Sequence, residues 1–154
     1  MRGVLAALLV IFTAPVLAAG IWRPYENSSL GYAIDLPATF TIEVVSDDHL
    51  LLKEGTTTLE LFGLDTGALS FDDAVALSVR STVDEGFAMS GQRIAPDWAR
   101  YEAEQGERRL AVGLIALCGH ALAGYELRYM QADGPVLIPV VKQLDGSLRR
   151  TGKC

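Results

Sequence analysis

Two short runs set reactive side chains side by side: Cys118-Gly119-His120 and Asp47-Asp48-His49. The first offers a thiol and an imidazole, the parts of a nucleophile and its base. Residues flanking one glycine seldom point at each other, and a thiolate also needs an electropositive setting. The second run carries metal-capable side chains. A transition-metal site draws three or four ligands from different elements, and the chain has only 2 histidines in all. A solvated turn between strands is the plainer reading. Ser90, in Met89-Ser90-Gly91, lacks the G-x-S-x-G elbow of a hydrolase nucleophile. No catalytic residue, metal ligand or cofactor is assigned. Trp22, Tyr25, Tyr32, Trp98, Tyr101, Tyr125 and Tyr129 fall at strand-like spacing, where aromatics serve as core or cross-strand pairs. If a ligand cleft exists, Trp22 and Trp98 are the candidates to line it.

The two cysteines, Cys118 and Cys154, take their meaning from the compartment. Met1 to Ala19 has one charge, Arg2, then an unbroken apolar run from Gly3 to Phe12, Pro15, and small or apolar residues at Val16-Leu17-Ala18. That is the pattern of a secretory signal peptide. Cleavage after Ala18 is expected, with cleavage after Ala19 as the neighbouring choice. The apolar run falls short of the roughly 20 residues that span a bilayer, which weighs against an uncleaved anchor. Residues 1–18 are thus read as signal, and 19–154 as one exported domain of about 136 residues, enough for a proper core. No stable membrane span is expected once the signal is gone. In an oxidising compartment an even pair of cysteines favours a disulfide over two separate thiols.

Net charge is −6 for the whole chain. Lys and Arg are scattered, with Arg108-Arg109 and Arg149-Arg150 the only adjacent pairs. A nucleic-acid binder needs a basic face that displaces counterions from phosphates, so nucleic acid is not an expected partner. Asn27-Ser28-Ser29 has the pattern of a glycan acceptor, which matters only in a eukaryotic secreted protein.

Hydrophobic spacing supplies the elements. Tyr32, Ile34 and Leu36 alternate with Ala33 and Asp35, a half-buried strand ended by Pro37. Phe40, Ile42 and Val44 alternate in a second strand. His49 to Lys53 and Thr57 to Leu64 follow, with Glu54-Gly55 turning between them. The period then changes. Ser70 and Asp73 form a capping arrangement, Phe71, Val75, Val79 and Val83 recur at four-residue steps, and Gly86 suits a helix end. A helix is expected over 71–84. Strands resume over 87–94, 98–104, 108–117 and 121–130, with Ala121, Ala123, Tyr125, Leu127 and Tyr129 on one face. Leu137, Val141, Leu144 and Leu148 mark a second helix. Pro139 tolerates only a helix that begins close to it, which puts the start between 136 and 139.

This path brings the chain end home. The last strand runs about 33 Å away from Cys118. The helix returns about 21 Å, and residues 151–153 cover the rest, so Cys154 arrives near Cys118. A disulfide joining Cys118 and Cys154 is expected, structural rather than catalytic, because redox pairs more often show C-x-x-C. The order of strands, helix, strands, helix points to an α+β fold, an antiparallel β-sheet flanked by two main helices.

Trp22-x-x-Tyr25-x-Asn27, followed by Leu30-Gly31-Tyr32-Ala33-Ile34-Asp35-Leu36-Pro37-x-x-Phe40, resembles the opening of the PsbP/Mog-like fold family, including small exported bacterial proteins of unassigned role. The closing helix around Val140-Val141-Lys142-Gln143-Leu144 after a Tyr-rich strand is also similar. The resemblance implies an α/β/α sandwich. Its members act as accessory proteins of photosystem II, as partners of a small GTPase, or in the bacterial envelope, and no binding residue of either characterised branch maps onto this chain. The expected function is therefore a non-enzymatic exported accessory domain, periplasmic or secreted, that binds another envelope protein or complex. The alternative is a small-molecule or lipid-binding module with an aromatic-lined pocket. The first predicts an exposed apolar patch. The second predicts an enclosed cavity of about 300 Å³ or more.

Overall fold

The structure is a computed structural model that describes residues 20–154. The expected signal peptide, 1–18, lies outside the described residues. Seven strands form an antiparallel sheet: β3 (Thr41–Val45), β4 (His49–Glu54), β5 (Thr57–Asp65), β6 (Ala88–Ile94), β7 (Trp98–Gln105), β8 (Arg108–Leu117) and β9 (Ala121–Met130). Their order in space is β3-β4-β5-β9-β8-β7-β6. β9 therefore closes the meander back onto β5, from Thr58 opposite Arg128 to Asp65 opposite Ala121. A second sheet, which the sequence pattern did not separate, has the order β1-β2-β10. Its strands are β1 (Trp22–Asn27), β2 (Tyr32–Pro37) and β10 (Arg149–Arg150).

Period-two alternation divides the large sheet into two cores. On one face Leu50, Leu52, Leu59, Leu61, Tyr125 and Leu127 pack under β2 and α2 (Gly134–Ser147). On the other Ala99, Tyr101, Leu110, Val112 and Leu114 pack under α1 (Phe71–Asp84). The result is a sandwich in which each helix covers a different part of the sheet and leaves the remainder open.

The helix α1 occupies its expected span. Ser70 Oγ accepts the N–H of Asp73 at 3.1 Å and donates to the Asp73 carboxylate at 2.7 Å. Gly86, at φ +93°, follows the helix end. The expected apolar row does not hold to its last member, for Val83 is 49 % exposed. Each four-residue step overshoots a 3.6-residue turn by about 40°, so the row drifts off the sheet. Thr82 takes the buried place and hydrogen-bonds the Tyr101 hydroxyl at 3.2 Å. On β3 the expected alternation is also interrupted: a bulge falls between Ile42 and Val44, and Ile42 is exposed while Phe40 is buried.

The start of α2 departs from expectation as well. The helix begins at Gly134, after a 3₁₀ turn over Gln131–Asp133, and Pro139 sits inside it. Pro135, in the first turn, lacks only a free N–H. Pro139 removes one bond to the Pro135 carbonyl, and both prolines are exposed, so water can serve that carbonyl. At its far end Ser147 Oγ accepts the Asp35 N–H at 3.0 Å, which ties α2 to β2.

One side-chain row fixes α2 against the large sheet. Arg100 on β7, Gly113 on β8 and Tyr125 on β9 stand directly opposite one another. A Cβ on Gly113 would come within 2.3 Å of the Tyr125 ring, so only glycine lets that ring lie across β8. The Tyr125 hydroxyl donates to Asp145 Oδ1 of α2 at 2.6 Å, and Arg100 pairs with the same carboxylate. Arg100 also donates to the carbonyls of Leu114 at 3.0 Å and Asp145 at 3.2 Å. Burial, then the Asp145 charge, pushes the Tyr125 phenol far up, so it remains a donor.

Beyond α2 the chain is held by β10 on β2 and by the Thr151 N–H on the Gly31 carbonyl at 2.9 Å. Cys154 then meets Cys118 in a disulfide with Cα atoms 5.2 Å apart.

Two outcomes are expected from this arrangement. Reducing the Cys118–Cys154 bond should lower the unfolding free energy by up to about 4 kcal/mol, the closure entropy of a loop of roughly 37 residues. Urea titrations with and without a thiol reductant measure it; coincident curves would discard that role. Asp145→Ala strips Arg100 and Tyr125 of their shared acceptor and should cost about 3 kcal/mol. In a double-mutant cycle with Arg100→Met the two losses should be non-additive by about 1 kcal/mol or more; strict additivity would mean that the pair does not couple helix to sheet.

Candidate functional site

The residues singled out for chemistry are spread over the molecule. Cys118 is bonded to Cys154, and His120, at φ +60°, lies on an exposed turn where its carbonyl accepts from Thr66. His49 Nε2 lies 3.3 Å from Glu60 Oε2 across β4 and β5. Asp48 accepts from Ser46, and the Asp47 carbonyl accepts from the Asn27 amide at 2.7 Å. No three His, Cys, Asp or Glu side chains converge as a metal site among the described residues. Asn27 is buried and also receives the Leu30 N–H, so it is a turn-closing residue and not an accessible glycan acceptor. Ser90 is exposed at the β6 bulge, and no histidine lines the groove it borders. Trp98 is 37 % exposed in a groove near β10, whereas Trp22 stands on β1 and does not line that groove.

The most developed concavity lies where α2 stops short of β6 and β7. Two adjoining spaces, of about 310 Å³ and about 650 Å³, share Arg93, Glu102, Val141 and Asp145 as walls. Its position follows from the sequence of β7 and β8. Arg100, Glu102 and Glu104 alternate with Ala99, Tyr101 and Ala103, so one face of β7 is charged and the other apolar. Opposite Glu102 and Arg100 the neighbouring β8 presents only Ala111 and Gly113, which leaves a depression. Asp145 and Arg100 close one end. At the other, Arg109 pairs with Glu104 at 3.4 Å and donates to Gln131 at 2.7 Å. Along the rim, α2 turns Ile138 (63 % exposed) to solvent; Val136 is exposed on another side of the helix. Acidic and basic groups in alternation beside an exposed apolar side chain suit the recognition of a polypeptide surface. They do not assemble a nucleophile with its base.

A second groove runs between α1 and β5 on the opposite face, about 380 Å³ in volume. Phe62, Leu64, Leu69, Leu77, Leu114 and Leu122 line it, with Ser78 and Ser81 at the edge. Gly124 permits it: a Cβ there would meet Leu114 at 2.5 Å and Phe62 at 2.9 Å. Neither tryptophan takes part; Phe62 is the aromatic member. Sequence reading missed both rims. The signal was present in Leu77 and Ile138, apolar residues standing off the stripes that pack their helices.

Among the described residues no helix is long and apolar enough to cross a membrane. The sequence matches no protein-family model and no curated protein. Its fold does match solved structures. Cyanobacterial PsbP (CyanoP) from Synechocystis sp. aligns with a TM-score of 0.61 at 11 % identity, covering 92 % of this chain and 98 % of that one. The Ran-binding protein Mog1p of Saccharomyces cerevisiae aligns at 0.60 and 8 % identity, over 86 % of this chain and 97 % of its own. LpqN of Mycobacterium tuberculosis, described as involved in cell envelope biogenesis, aligns at 0.55 and 13 % identity, over 86 % and 91 %. Strand order, helix placement and these alignments agree: the chain has the PsbP/Mog1-like fold.

Proposed function

We propose that this chain is a non-enzymatic exported accessory domain that binds another protein of the cell envelope through the α2 rim and its groove. The carrying observation is Ile138, exposed on the wall of the charged depression over β7 and β8. An exposed apolar side chain rimmed by charged groups suits a contact surface. Export rests on the N-terminal pattern of residues 1–18 and on the disulfide, which persists in oxidising compartments. Two fold neighbours lend support by what their descriptions state, one as a Ran-binding protein and one in envelope biogenesis. A photo-crosslinking residue at position 138, expressed in the source cell, should trap one discrete envelope protein. The same residue at Asp72 on α1 should not. With the crosslinking residue moved to Lys142 of the same groove, Ile138→Asp should abolish the adduct while leaving the melting temperature within a few degrees. Equal trapping at positions 138 and 72 would defeat the proposal. N-terminal sequencing of the exported form should begin near Ala19.

A second reading is favoured by the α1–β5 groove, whose lining is mostly leucine and phenylalanine. There the chain would hold a small apolar molecule or lipid tail. Native mass spectrometry of protein purified without detergent should then retain a ligand that Leu77→Trp displaces. An unliganded mass throughout removes this reading.

A further inference from the structure

The groove around Trp98 is distinct from both surfaces above and has a chemistry of its own. It encloses about 440 Å³. Its floor is apolar, formed by Ile115 and Leu148, each under a tenth exposed. Its rim carries Trp98, Arg149 and Arg150. Both arginines are exposed, and among the described residues neither forms an ion pair. Arg149 spends one donor on the Ser147 carbonyl at 3.0 Å, and Arg150 one on Cys154 Sγ at 3.6 Å. A guanidinium has five, so most remain free. The third guanidinium of the lining, Arg100, lies 5.7 Å from the Trp98 ring and is already offset by Asp145. Asp97 is the one carboxylate among the lining residues.

This differs from the other arginine pair. Arg109 is matched to Glu104, and Arg108 lies over the Phe87 ring at 5.4 Å. The tail is also held at both ends, by β10 on β2 and by the disulfide at Cys154, so the backbone that carries Arg149 and Arg150 is tied in place. Each guanidinium offers a planar bidentate fork that suits a carboxylate.

We infer that the Trp98–Arg149–Arg150 groove docks a short acidic segment of a protein partner. Acidic side chains of the segment pair with Arg149 and Arg150, and a neighbouring apolar side chain lies over Ile115 and Leu148. A broad anionic surface is the poorer fit. The chain carries −6 overall and repels an extended sheet of negative charge, whereas a short segment inside the groove feels mainly charges within a screening length of about 8 Å. This inference does not depend on the α2 rim.

The test uses the Trp22→Phe protein, in which emission reports Trp98 alone. The probe is a fluorescein-labelled peptide containing glutamate and leucine. Its lysine counterpart and phosphatidylglycerol vesicles serve as rivals. Glutamate-peptide binding should alter Trp98 emission and weaken as salt is raised. Arg149→Glu and Arg150→Glu should each weaken it about tenfold or more, and Arg80→Glu, an equal charge change on the far helix, by less than about twofold. All three positions are exposed, and circular dichroism checks that the variants remain folded. Undiminished binding in Arg149→Glu and Arg150→Glu, or an equal loss in Arg80→Glu, overturns the inference. So does binding to vesicles without binding to the peptide.

Discussion

Asp145 is the acceptor on which the architecture turns. It receives the Tyr125 hydroxyl and pairs with the Arg100 guanidinium, and through them one helix is joined to three adjacent strands. A carboxylate and a guanidinium taken largely out of water are costly unless each is answered. Here the answers come from different elements: the carbonyls of Leu114 and Asp145 for Arg100, and the phenol for Asp145. The cluster therefore forms only when β7, β8, β9 and α2 are all in register. It specifies where α2 lies, and hence where the sheet is left uncovered.

Absence of side chains shapes the molecule as much as their presence. Gly113 and Gly124 sit on the two central strands, and each lets neighbouring side chains cross over the backbone. On one face the Tyr125 ring fills the space over Gly113, with Ala111 leaving a shallow floor beside it. On the other, Phe62 and Leu114 converge over Gly124 and form the base of the leucine-lined groove. Sheet pleating assigns the two glycines to opposite faces. The two grooves are thus independent, and a domain of this size can offer one to a polypeptide and another to an apolar ligand.

The carboxyl end adds a third surface by different means. Its last residues have no helix or long strand to place them. Two residues of β10, one backbone bond to Gly31 and the disulfide do so instead. The crosslink acts on the unfolded chain by closing a long loop and on the folded chain by fixing a basic rim beside Trp98. The neighbours of like fold, at identities of 8 to 13 %, show how little of the surface need be shared for the framework to be kept. Roles reside in such surfaces, not in the framework.

Local spacing was enough to read most of the strands, the span of α1, the α+β class and the meeting of Cys118 with Cys154, because each follows from periodicity or from the length of chain between turns. Alternation along β9 placed Tyr125 and Leu127 on one face, and they do share it. The same reading could not see β10, two residues long, since pairing across the fold makes it a strand. Nor could it start α2 correctly: Pro139 forbids one helical bond, but here it and Pro135 lie on the exposed side of the helix, where that loss is tolerated. The grooves were equally hidden. Arg100, Gly113, Tyr125 and Asp145 come from four elements with no common spacing, and Trp22 and Trp98, alike in the sequence, end on different sheets. The sequence by itself determined which residues face in and where the chain turns, since these depend on neighbours a few positions away. Only the tertiary structure decided which charges are answered, which apolar residues stay exposed and which surfaces are open, because those depend on what arrives from elsewhere in the chain.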